Sequence, residues 1–168
     1  MPQWFALRVK SRFEKSVAEA VRRKGFEEFL PVYKSRHKWS DRAKSVESPL
    51  FPGYVFCRLE AEQRFRLLTI PGVMHVVSIG KTPVPVDEAE ISAVQSAIRF
   101  RMPLEPWPFV EAGKRVRYGS GQEGVEGFLV PGEDEQRIVV NLSALRKAVA
   151  IAIEPGWVEA KSSGAAGS

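Results

Sequence analysis

The stretch Leu50-Phe-Pro-Gly-Tyr-Val-Phe56 decides how this chain reads. Pro52 has no N–H to give a sheet ladder and Gly53 weakens one, so a strand beginning here must start at an edge, a bulge or a bend. Phe51 and Tyr54 on either side can then be displayed on a concave patch, with Trp4 joining them from a neighbouring strand. A patch of this kind suits a protein partner, because Trp and Tyr bury much area and keep a polar handle. Taken as an isolated apolar strand, the same aromatics are more often core.

Working back toward residue 1, Phe5, Leu7 and Val9 alternate with Trp4, Ala6, Arg8 and Lys10, the two-residue period of a strand. Ser11-Arg-Phe-Glu14 has the spacing of a capping box. Phe13, Val17, Ala20 and Val21 then share a helical face, and Gly25 is placed to end that helix after Arg22-Arg23-Lys24. These cations complement the helix dipole as well as they would a nucleic acid. Residues 29 to 36 and 50 to 59 read as strands joined by a polar connection, 37 to 48, that carries Lys38, Trp39, Arg42 and Lys44. A basic loop of that length bearing an aromatic suits contact with nucleic acid or a partner.

Working forward, residues 61 to 69 predict a short helix and 73 to 79 a strand. Residues 87 to 100 predict a helix with Ile91, Val94, Ala97 and Ile98 on one side. The order β-α-β-β-α-β-α predicts an α+β sandwich, an antiparallel-type sheet with helices packed on it, over residues 1 to 100. Three prolines between 101 and 108 remove backbone donors and mark a linker. Five short strand-like runs follow between 109 and 160, punctuated by glycines and Pro-Gly pairs, and predict a small SH3-like all-β barrel. Within it, residues 144 to 152 carry both a helical stripe and a strand alternation; four glycines between 119 and 127 oppose a helical hairpin, which leaves the barrel as the expectation. Residues 161 to 168 are Lys, Ser, Gly and Ala without an apolar anchor and are expected to be disordered.

The charge is uneven. The net charge of the 168 residues is +5, and residues 1 to 50 hold 12 Lys and Arg against 6 Asp and Glu. A local basic excess suits an anionic partner as readily as it makes a solvated surface. The lone cysteine, Cys57, cannot form an intramolecular disulfide, and no apolar run approaches the ~20 residues of a membrane span. A cytoplasmic, monomeric protein is expected. His37 and His75 have no metal-ligand spacing with another His or Cys, and Glu133-Asp-Glu135 reads as a solvated turn. No enzyme, metal or cofactor is expected.

Two segments carry a family resemblance. The 50 to 56 stretch, followed by a helix and Ile70-Pro-Gly-Val73, resembles the core signature of the NusG N-terminal (NGN) domain. Residues 113 to 130, with Gly119, Gly121, Gly124 and Gly127, resemble a KOW motif of strand, glycine-bearing loop and strand. The resemblance implies a transcription elongation or antitermination factor. Its aromatic patch, Trp4, Phe51, Pro52, Gly53 and Tyr54, would bind the clamp helices of the largest RNA polymerase subunit. Lys38, Trp39, Arg42 and Lys44 could follow non-template DNA, and the KOW domain would recruit a ribosomal protein or a termination factor. Trp4 to Val9, Glu14-Lys15 and Phe29-Leu-Pro31 are most similar to the specialised RfaH and UpxY type. The rival reading is a KOW-bearing RNA-binding or ribosome-associated protein, in keeping with a pI of about 9.5.

Overall fold

The computed structural model describes residues 1–36, 45–119, 124–131, 136–153 and 158–160. The chain divides into two compact units, Met1–Glu88 and Ala89–Ser168. The first runs through β1 (Gln3–Val9), α1 (Glu14–Arg23), β2 (Glu27–Phe29), β3 (Val32–Arg36), β4 (Ser45–Pro49) and β5 (Tyr54–Leu59). A 3-10 helix at Ala61–Arg66 follows, then β6 (Val73–Val76) and the small hairpin of β7 (Ser78–Ile79) and β8 (Thr82–Pro83).

Strands in the order β2-β5-β1-β6 make a four-stranded antiparallel sheet. Side chains alternate across it, as the pleat requires. Phe5, Leu7 and Val9 of β1 and Val55, Cys57 and Leu59 of β5 pack with Val17, Ala18 and Val21 of α1 in one buried cluster. On the opposite face Trp4, Ala6 and Phe56 are buried as well. Both faces are therefore apolar, and β1 reads as a nearly continuous hydrophobic run.

Several local expectations change, each for an identifiable reason. The strand expected over 29 to 36 breaks at Leu30-Pro31, so β2 pairs with β5 while β3 pairs with β4. Pro31 has no N–H to carry a ladder through, and its carbonyl instead accepts the Leu50 N–H at 2.9 Å. Residues 45 to 48, expected in the polar connection, belong to β4, and β5 begins only at Tyr54. No capping box forms at Ser11: the N-cap of α1 is Phe13, without a side-chain cap bond. Phe13 and Ile98 are 39% and 38% exposed and do not join the helical faces assigned to them.

The second unit contains β9 (Leu104–Trp107), β10 (Arg115–Tyr118), β11 (Val125–Val130), β12 (Gln136–Leu142), β13 (Lys147–Ile153) and β14 (Val158–Ala160). They form an antiparallel sheet in the order β14-β10-β11-β12-β13-β9. All five strands expected here are present, and the ambiguous 144 to 152 segment resolves into a turn over 144 to 146 followed by β13. Helix α2 (Glu88–Arg99), expected with the first domain, falls almost wholly within the second unit. The proline-bearing segment is more ordered than a plain linker. Leu104–Trp107 adds an edge strand to β13, a position where Pro106 costs no inner ladder bond. Asn141 fastens the following residues, accepting the Val110 N–H at 3.1 Å and donating to the Val110 carbonyl at 2.8 Å. The tail, 161 to 168, lies outside the described residues.

Gly127 has a purely steric task. A Cβ on it would collide with the Val139 carbonyl oxygen and lie 2.6 Å from Ile138 Cγ2, so the close approach of β11 to β12 requires glycine. The architecture is thus a mixed unit of helices and sheets followed by an all-β sheet.

Candidate functional site

The site is built around the turn that delays β5. The Tyr54 N–H donates to the Phe51 carbonyl at 3.1 Å, closing a four-residue turn with Pro52 second and Gly53 third. Gly53 has φ 85°, the conformation that the third residue of a type II turn requires and that glycine adopts without strain. The turn is tied into the sheet, because the Val9 N–H donates to the Gly53 carbonyl at 2.8 Å. It is also tied to α1, because the Gly53 N–H donates to Glu14 Oε2 at 2.9 Å.

Aromatic rings gather on the sheet face beneath. Trp4 meets Phe29 edge-on at 6.4 Å between centroids, Phe29 meets Phe56 at 6.1 Å, and Phe51 meets Phe56 at 5.6 Å with planes 89° apart. Edge-to-face contacts at these separations add to the gain from burial. Trp4 is further held by Val86, whose N–H donates to the Trp4 carbonyl at 2.7 Å.

This packing corrects the expectation of a displayed patch. Trp4 is only 4% exposed and Phe51 only 2%, because their rings interlock with Phe29 and Phe56. Gly53 is buried too, whereas Pro52 at the apex is exposed and Tyr54 is half-buried. The five residues are brought together, but what solvent meets is Pro52 and part of Tyr54. The Arg8 guanidinium lies over the Tyr54 ring, 4.9 Å from its centroid. A cation in that position is held by the ring's quadrupole.

Sequence reasoning missed Arg8, Glu14, Phe29 and Phe56 as parts of the site. Phe56 was accessible in principle, since it lies two residues from Tyr54 and so on the same face. Glu14 had no local signal, because its partner lies 39 residues away.

The nucleic-acid candidates Lys38, Trp39, Arg42 and Lys44 lie outside the described residues. The stem that leads to them is described: β3 and β4 pair from Val32↔Pro49 to Arg36↔Ser45. In the second unit Gly119 (φ 91°) follows β10 and Gly124 precedes β11, while Gly121 lies outside the described residues. Among the described residues no three His, Cys, Asp or Glu are grouped as metal ligands, and no helix is long and apolar enough to cross a membrane. Burial pushes the Cys57 thiol up to about 12, which holds it as an inert core group at neutral pH.

Comparison with known proteins agrees with this layout. A family model described as "Transcription termination factor nusG" matches residues 2–95. Two relatives from Helicobacter pylori, strains J99 and 26695, both described as "Transcription termination/antitermination protein NusG", are each 26% identical over 133 residues. These alignments cover 72% of this chain and 76% of each relative. A solved structure described as "Domain interaction in Thermotoga maritima NusG" superposes with a TM-score of 0.56 at 23% identity, covering 95% of this chain and 97% of that one. At that identity the likeness speaks to the fold alone.

Proposed function

We propose, from the premise that this chain belongs to the NusG family, that it is a transcription elongation and antitermination factor whose first unit docks on RNA polymerase. The docking face is the turn at Pro52-Gly53 with Tyr54, carried by the aromatic layer of Trp4, Phe29, Phe51 and Phe56. Its target is the clamp helices of the largest polymerase subunit. The observation that carries this reading is the exposed apex at Pro52 beside a half-buried Tyr54, over an interlocked aromatic base. Preorganised anchors of this kind bind without a large ordering cost.

The second unit recruits a second protein, such as a ribosomal protein or a termination factor. Residues 101 to 168 hold 8 Lys and Arg against 9 Asp and Glu, which supports a protein contact there over phosphate binding. Lys38, Trp39, Arg42 and Lys44, carried on the β3–β4 stem, would reach non-template DNA by phosphate contact and stacking. Similarity to the RfaH and UpxY type supports service to particular operons.

The test is the affinity of the full chain for purified core RNA polymerase. Tyr54→Ala should weaken it by ~2 kcal/mol or more, as loss of an interface anchor does. Wild-type affinity in that variant, or salt-sensitive binding to naked RNA with none to polymerase, would favour the RNA-binding alternative.

A further inference from the structure

Two side chains from outside the Pro52-Gly53 turn hold it in place, and we infer that Glu14 and Arg8 are positioning residues for the polymerase-docking face. The inference rests on the function proposed above and adds how that face keeps its shape.

Glu14 is an anomaly for a helix N-terminus. A first-turn acid ordinarily stays in solvent or reaches back to cap its own helix. Here the Ser11 capping box is forgone, and Glu14 is only 6% exposed, with its carboxylate on the Gly53 N–H at 2.9 Å. Among the described residues no Lys or Arg forms an ion pair with it. The carboxylate thus sits at the N-terminus of α1, where the helix dipole favours it, and the Arg8 guanidinium packs against the same glycine without closing an ion pair. The arrangement makes sense as fixation of the turn. In a buried turn, an unanswered Gly53 N–H would be an orphan donor and a reason for the turn to open.

Arg8 acts on the other half of the turn. It is the register partner of Tyr54 across the β1–β5 ladder. Its guanidinium occupies the space where a side chain on residue 53 would stand, and it covers the Tyr54 ring. Glu14 therefore fixes the backbone at Gly53, and Arg8 fixes the ring at Tyr54. Neither needs to touch the polymerase to decide how Pro52 and Tyr54 are presented.

The test reads the free full-length chain and its polymerase complex separately. Glu14→Ala should speed hydrogen exchange of the Gly53 amide, by NMR, about ten-fold relative to β5 amides, and weaken core polymerase binding about ten-fold, the scale of one lost buried hydrogen bond. Glu14→Gln keeps an acceptor oxygen and should restore both, a rescue that a general loss of stability would not give. Arg8→Met should shift the Tyr54 ring resonances and weaken polymerase binding while leaving Gly53 exchange unchanged. Wild-type Gly53 exchange in Glu14→Ala, or faster exchange with wild-type polymerase affinity, overturns the inference. If Glu14→Ala does not fold, Arg8→Met carries the test, and unchanged Tyr54 resonances or unchanged binding overturn it. Tyr54→Ala separates the two claims: wild-type binding there removes the docking face itself, whereas the free-chain measurements at Gly53 and Tyr54 judge the positioning alone.

Discussion

Replacing Phe51 by Ala should damage folding more than a surface anchor would. The ring is 2% exposed and meets Phe56 edge-on at 5.6 Å, so truncation removes a full aromatic side chain and one aromatic pair from a packed layer. Large-to-small changes at such positions cost about 3–5 kcal/mol, transfer and cavity terms together. That is a large share of the ~5–15 kcal/mol that holds an ordinary domain together. The unit that holds Phe51 is Met1–Glu88, and for a domain of that size each kcal/mol lowers the melting temperature by about 4–8 °C, so a fall on the order of 20 °C is expected. Tyr54→Ala should cost far less, about 1–2 kcal/mol, since the ring is half-buried and stacks under the Arg8 cation. Thermal melting by circular dichroism of the two variants beside wild type measures the difference. A Phe51→Ala protein that melts within about a degree of wild type would refute the assignment of Phe51 to the core.

Gly127→Ala should destabilise the second unit by about 1–3 kcal/mol, because the new methyl must push β11 away from the Val139 carbonyl; chemical denaturation gives the value. Asn141→Ala should cost about 1–3 kcal/mol and speed exchange at the Val110 amide, since both of its bonds to Val110 are lost; NMR exchange reads it out. Cys57 keeps its proton in the folded chain up to about 12 but loses it near 8.5 when unfolded. The unfolded state then binds fewer protons between those values, so stability is whole below about pH 8.5 and falls as pH rises through that window. Denaturant midpoints measured across that range should fall more steeply for wild type than for Cys57→Ala.

The second unit was nearly legible from the sequence because glycines and Pro-Gly pairs punctuate it and its strands are short. The ambiguity at 144 to 152 came from alanines that fit either period. In β13 Ala148 and Ala150 are buried along with Val149 and Ile151, so both faces of the strand are covered and its apolar run is nearly continuous. The first unit was less legible where tertiary contacts overruled local rules. Ser11 and Glu14 satisfy the capping-box pattern, yet Glu14 answers a donor 39 residues away. The burial of Trp4 and Phe51 depends on rings from separate strands meeting on one face, and no spacing within a single strand encodes that. The prolines near 106 signalled a break in regular structure, and an edge strand is the form of regular structure that still tolerates them.

The central claim, that the turn over the aromatic layer faces RNA polymerase, is tested most directly at the exposed apex. A Pro52→p-benzoylphenylalanine variant, irradiated within a reconstituted paused elongation complex, should form a crosslink to the largest polymerase subunit that mass spectrometry maps to its clamp helices. Crosslinks to RNA alone, or to another polymerase surface, would contradict the account.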